Sequence, residues 1–273
     1  MRIVCLALAA VIGGAAPALA EEAGTPHPPA QRWSFSGPFG TFDRAQLQRG
    51  YQVYREVCAT CHSMNLLSYR NLMQAGGPEF SETQAKAMAA SAQIAFTNDQ
   101  GERAERPGEL SDRFRNPYPN LQAAIYANNG KAPPDLSVMA KARGYERGFP
   151  WFILDAVTGF NNDQGPNYIY ALLTGYHDPP AGTPAQEGLN YNEYFPGHWI
   201  GMPNILRDEA VTYADGSPQT VSQYARDVTA FLMWAAEPHL EARKRIGFQV
   251  MVFLVLFAGL VYYTKRKVWR AVH

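Results

Sequence analysis

The chain has 273 residues, 47% of them apolar and 18% charged, which is enough to bury a sizeable core and too apolar for a disordered chain. Lysine and arginine together number 24, as do aspartate and glutamate, and this balance excludes the basic character of a nucleic-acid-binding protein. Three cysteines are too few for a disulfide framework, while 23 glycines and 20 prolines call for long irregular connections between few helices.

Residues 1–20 read as a cleaved signal peptide: Arg2, a short apolar run over 3–12, and the small-x-small site Ala18-Leu19-Ala20. The apolar run is too short to span a bilayer, which argues against an uncleaved anchor. Its removal takes Cys5 with it and leaves Cys58 and Cys61. The proline-rich stretch over 21–33 is expected to be an extended arm. A helix is expected to begin at Asp43, a good N-cap, with Leu47, Tyr51, Tyr54 and Cys58 on one face at i, i+4, i+7 and i+11. Gly50 in its middle costs about 1 kcal/mol against alanine, which points to a packing reason. The expectation is a close crossing with the late helix of the chain, with Phe231 or Trp234 filling the gap.

That first helix delivers Cys58-Ala59-Thr60-Cys61-His62. Two thiols at this spacing can each form a thioether to a vinyl group of one haem, and the adjoining imidazole can bind its iron. A structural zinc site needs about four ligands, and the sequence offers no second cysteine pair and no H-x₃₋₅-H partner. Thiol–disulfide exchange would want a βαβ setting, which the pattern lacks.

The middle of the chain is turn-rich, as at Arg106-Pro107-Gly108, Asn116-Pro117-Tyr118-Pro119 and Asp178-Pro179-Pro180. Weak helical signals occur over 84–94, 120–127 and 168–173, with no strand-rich pattern and no repeat. A clear helix runs from the N-cap Thr220 to just before Pro238, with Val221, Tyr224, Ala225, Val228, Phe231, Leu232 and Ala235 as its apolar stripe. Residues 246–263 then carry no formal charge and span about 27 Å as a helix, close to the ~30 Å hydrocarbon core of a bilayer. Tyr262, Tyr263 and Trp269 lie beside Lys265-Arg266-Lys267 like an interfacial belt. Basic clusters nearly balance across this span, so the signal peptide sets the orientation: exported domain outside, short tail in the cytoplasm. The expected division is a signal peptide over 1–20, a periplasmic domain over 21–241, an anchor over 242–264 and a tail over 265–273. A bacterial inner membrane fits this layout.

With His62 on one side of an iron, a second axial ligand decides the chemistry. Met64 is too close to His62 to reach the opposite face, Met233 reads as core and Met251 lies in the span. Met202, in the loop signal Gly201-Met202-Pro203, is a candidate, with His198, Met139 and Met73 as rivals. A thioether would raise the reduction potential and close the site, whereas an open position would permit catalysis or gas sensing.

Five stretches, RGYQVYREVCATCHSM, NPYPNLQAAIYANNGKAPPDLS, YIYALLTGYHDPP, YFPGHWIGMPNIL and DVTAFLMWAAEPHLEARKRIGF, closely resemble the cytochrome c1 family, the haem subunit of the cytochrome bc1 complex. The resemblance spans nearly all of the chain after the signal segment. It implies a mainly α, cytochrome-c-like haem domain with long loop insertions plus one C-terminal transmembrane helix. It also implies one covalently attached haem c, with Cys58 and Cys61 as thioether sites and His62 and Met202 as iron ligands. Arg143 is implied near a haem propionate, a carboxylate that a guanidinium can bind with two hydrogen bonds, and Pro134 and Tyr168 resemble pocket residues. The implied role is a relay without acid, base or nucleophilic groups of its own. Electrons come from a Rieske iron-sulfur protein and pass to a soluble or membrane-anchored cytochrome c, while quinol is oxidised at neighbouring subunits including cytochrome b. The complex is implied to be dimeric. Departures are a longer segment over 144–167 than in mitochondrial members, and no cysteines for the extra disulfide of some bacterial relatives. A shortened acidic region (Glu79, Glu82, Asp99, Glu102, Glu105, Glu109, Asp112) is interleaved with Lys86, Arg103, Arg106 and Arg113. The alternatives are another anchored mono-haem cytochrome serving a terminal oxidase or dehydrogenase, and a periplasmic haem sensor.

Overall fold

Asp43 starts the first helix as its sequence position requires. Its carboxylate accepts the Gln46 amide at 3.1 Å, and α1 runs over Arg44–Glu56. The computed structural model describes residues 25–143 and 163–270, so the signal-like segment lies outside the described residues. The stripe expected of α1 is buried: Leu47, Tyr51, Tyr54 and Cys58 are all 9% exposed or less. Val57 caps the helix and a single 3-10 turn, Cys58–Thr60, follows, so the Cys58–His62 motif is held at a rigid helix end.

Among the described helices, α2 spans Glu82–Ala90, α3 Leu121–Ala127, α4 Met139–Ala142 and α5 Gln164–Thr174. Then α6 spans Val221–Ala236 and α7 Leu240–Trp269. Thr220 caps α6 through the Gln223 amide at 3.3 Å. The frame is the α1–α6 crossing, which Gly50 permits. A Cβ at Gly50 would lie 2.1 Å from the Asp227 carbonyl oxygen and 2.7 Å from the Phe231 Cβ. Phe231 therefore fills the crossing, and Trp234 does not; Trp234 instead packs on Gly77, where a Cβ would come within 2.7 Å of its indole nitrogen. Asp227 is fully buried in the crossing, with Arg49 Nε at 2.9 Å, Gln223 Nε2 at 2.9 Å and Gln46 Nε2 at 3.2 Å. A buried carboxylate is tolerated here because its lone pairs are met.

Two short ribbons depart from the sequence reading. The helix expected over 84–94 ends at Ala90, and Ile94 belongs to a strand, β1 (Gln93–Thr97), antiparallel to β2 (Arg103–Pro107). The run Gln93-Ile94-Ala95-Phe96-Thr97 is half apolar and leads into a turn closed by Gly101 at φ +81°, so pairing to a near neighbour overrides a weak helical signal. A second ribbon pairs β3 (Asn190–Tyr191) with β4 (Trp199–Ile200). The helix expected over 168–173 starts earlier, at Gln164, and so takes in the end of the longer segment over 144–167, of which residues 144–162 lie outside the described residues. Gly165 lets α5 pack on α4, since a Cβ there would overlap the Ala140 carbonyl oxygen.

The last helix, α7, is continuous from the domain through the apolar run and past Lys267, and none of its apolar window is buried. Its first turn is tied to α1. Glu241 takes Arg44 Nη1 at 2.7 Å and Nη2 at 2.8 Å, and accepts the Phe42 amide at 2.8 Å. The Arg44 guanidinium is the main reason the Glu241 carboxyl titrates below its ordinary range. A depressed carboxyl contributes stability that is complete above its unfolded value of about 4.3 and is lost as pH falls through the folded value. Glu241→Gln should therefore cost about 1–2 kcal/mol at neutral pH and flatten the acid limb of a thermal-unfolding series in detergent.

Candidate haem site

The motif closes on itself first. The amides of Cys61 and His62 both donate to the Cys58 carbonyl, at 3.1 and 2.9 Å, a turn that fixes the spacing of the two sulfurs and the imidazole. Both thiols are free. Burial pushes the Cys58 thiol up to about 12.

His62 is buried and its Nδ1 lies 2.8 Å from the Pro134 carbonyl oxygen. A carbonyl only accepts, so Nδ1 carries the proton and the Nε2 lone pair is free for a metal. Burial lowers the His62 pKa, outweighing the Pro134 carbonyl and the Asp135 charge, and so keeps the neutral, ligating imidazole. The Pro134 segment is itself fastened to the motif. Asp135 accepts from Ser63 Oγ and the Asn65 amide at 2.8 Å each and from the Ser137 amide at 2.9 Å. Ser137 Oγ in turn accepts the Leu66 amide at 3.0 Å. Asp135→Ala removes the centre of this clasp and should cost about 1–3 kcal/mol of stability and loosen haem retention, measured by denaturant titration of the haem-loaded protein. Nothing in the sequence tied Asp135 to Ser63, 72 residues away.

Met202 is half-buried just after β4. Its carbonyl accepts from the Tyr176 hydroxyl at 3.0 Å and from Asn190 Nδ2 at 3.4 Å, partners the sequence reading did not anticipate. Gly201 packs on the aliphatic part of the Lys131 side chain, three residues before Pro134, since a Cβ there would lie 2.9 Å from the Lys131 Cδ. Separate sets of hydrogen bonds hold the His62 segment and the Met202 loop. Of the other sulfurs, Met64 and Met233 are core residues at 0% and 1% exposure, and Met139 packs against the core. His198 sits at φ +62° with its ring stacked on Tyr191.

Pro134 is exposed and contributes its carbonyl; Arg143 is exposed at the end of α4; Tyr168 is half-buried on α5. Burial raises the Tyr168 hydroxyl and the Arg143 charge opposes it, so these two side chains share one neighbourhood. In the acidic region, Glu79 pairs with Arg44, Glu82 with Lys86 and Asp112 with Arg106, so these three carboxylates are partly neutralised.

The donor set suits a haem: two free thiols and an imidazole with its outer nitrogen already satisfied, with the Met202 thioether on the loop after β4 as a candidate. Leu66 and Val138, on the two segments that the Asp135 clasp joins, are 60% and 45% exposed. With the helical frame, these groups define a helical haem-binding domain carried on one apolar anchor helix.

Comparison with known proteins agrees. The Cytochrome C1 family matches residues 33–272. A protein named cytochrome b/c1 from Bradyrhizobium diazoefficiens is 56% identical over 92% of this chain, which spans only 36% of that longer relative. Cytochrome c1 from Blastochloris viridis is 49% identical over 97% of this chain and 95% of its own length. A mitochondrial cytochrome c1 haem protein of Arabidopsis thaliana is 47% identical over 88% of this chain and 72% of its own. The chain belongs to the cytochrome c1 family.

Proposed function

We propose that this chain is the haem-bearing electron-transfer subunit of a cytochrome bc1 complex, a quinol–cytochrome c reductase. What supports this most is family membership joined to one geometric observation: His62 Nδ1 is satisfied by Pro134, which leaves Nε2 as a ligand beside two free thiols. Haem, when bound, supplies a one-electron iron(III)/iron(II) couple. Cys58 and Cys61 would hold it by thioethers, and His62 and Met202 would ligate the iron. Arg143 neutralises a propionate, and Pro134 and Tyr168 line the pocket. With an imidazole and a thioether both held by the iron, the reduced state would be favoured and no position would be left for oxygen, so the chain would work as a closed relay.

Electrons enter from a Rieske iron-sulfur subunit and leave to a soluble or anchored cytochrome c, with quinol oxidised beside cytochrome b in a dimeric complex. The domain over 21–241 faces the periplasm after removal of residues 1–20, α7 crosses the inner membrane, and the 265–273 tail is cytoplasmic. Purification of the full chain in mild detergent tests this. Cytochrome b and a Rieske protein should co-purify, and the reduced haem should not bind carbon monoxide. A chain that purifies with an oxidase, or binds carbon monoxide in the native state, contradicts the proposal.

A further inference from the structure

We propose that the loop over residues 34–41 is a second membrane contact, with Phe39 inserted among the lipids of the outer leaflet beside α7. The proposal rests on α7 crossing a bilayer.

The loop is built to present its tip. Its neck is closed by the Thr41 amide donating to the Ser34 carbonyl at 3.0 Å. Gly37 takes φ +71°, and Gly40 has no room for a side chain, since a Cβ would lie 2.1 Å from the Ser36 carbonyl oxygen. The rest of this aromatic stretch is buried: Phe35 is 2% exposed, Phe42 4% and Trp33 6%, whereas Phe39 is 72% exposed. A chain that buries three neighbouring aromatic rings and projects the fourth on a glycine-framed turn has a surface to meet.

The position of that ring identifies the surface. Phe39 meets Phe248 of α7 edge-on at 5.5 Å between ring centroids. Phe248 lies two residues past Ile246, where the apolar run begins, so about 3 Å further along the helix axis. Phe39 therefore sits at the depth where α7 enters the bilayer, where aromatic rings partition well. Lys244 fixes this height by donating to the carbonyls of Phe35 and Gly40, at 3.2 Å for Gly40. Arg245, exposed beside it at headgroup level, is suited to anionic lipid, while Arg243 is paired with Glu237. The site is continuous with the anchor itself, which favours lipid over a protein partner.

The test uses the haem-loaded full chain in phosphatidylcholine–phosphatidylglycerol vesicles, spin-labelled through Phe39→Cys, with Leu254→Cys as a mid-span reference and Gln100→Cys as a reference in the exported domain. Background labelling is measured on the unsubstituted chain. The Phe39 label should be accessible to oxygen and shielded from a water-soluble nickel chelate, with an oxygen-to-nickel ratio several-fold above that at Gln100. A Phe39 label as open to nickel as Gln100, with Leu254 still shielded, overturns the loop contact and leaves the anchor intact. Shielding from both reagents would mean that protein covers Phe39 and also overturns it. Nickel access at Leu254 would overturn the anchor and the loop contact together.

Discussion

Replacing Met202 by leucine should lower the reduction potential of the haem-loaded protein by at least about 59 mV, a tenfold shift in a one-electron equilibrium. It should also abolish the methionine-to-ferric-iron charge-transfer band. Leucine keeps nearly the shape of methionine but has no lone pair, so the thioether's preference for the reduced iron is lost. The backbone of the loop should survive, because Tyr176 and Asn190 donate to the carbonyl of residue 202 and not to its side chain. Haem content and far-ultraviolet circular dichroism should therefore stay unchanged, which separates ligand loss from unfolding. A variant that retains both band and potential would return the sixth position to His198, Met139 or Met73.

Gly50→Leu should be the most damaging substitution in the frame. The atom in its way is the Asp227 carbonyl oxygen, 2.1 Å from where a Cβ must go, and a backbone atom cannot rotate aside. The α1 and α6 helices would have to separate, and the buried Arg49–Asp227 pair at 2.9 Å would separate with them. Overpacking costs about 1–3 kcal/mol where side chains can yield, so this backbone clash belongs at or above the top of that range. Gly50→Ala decides the sign. Helix propensity alone predicts a gain of about 1 kcal/mol, whereas the crossing predicts a loss. Denaturation midpoints and haem retention of both variants check this, and a stabilised Gly50→Ala would rule the close crossing out.

Features carried by local chemistry were legible in the sequence. The caps at Asp43 and Thr220, the buried stripe from Leu47 to Cys58 and the long apolar run over 246–263 each depend on residues within a few turns of one another. Gly50 was legible as an anomaly, and the choice of Phe231 over Trp234 needed the geometry of the crossing. The β1–β2 ribbon was missed because Ile94 and Phe96 fit a helix or a strand equally well in so short a run, and only the pairing with residues 103–107 separates them. The site was half legible. Cys58, Cys61 and His62 announce themselves by spacing, but the acceptor for His62 Nδ1 is a backbone carbonyl, which any residue could supply. The clasp at Asp135 and the Tyr176 bond to the Met202 loop join segments 72 and 26 residues apart, a distance at which no periodicity operates.

Haem staining after denaturing electrophoresis tests the covalent haem site most directly, using the full chain beside Cys58→Ala, Cys61→Ala and the double variant. The unsubstituted chain should keep its stain and give the reduced spectrum of a haem with both vinyl groups saturated. Each single variant should give a spectrum shifted toward one free vinyl group, and the double variant should lose its stain on denaturation. An unsubstituted chain that releases its haem on denaturation, or a double variant that keeps it, would contradict attachment through Cys58 and Cys61.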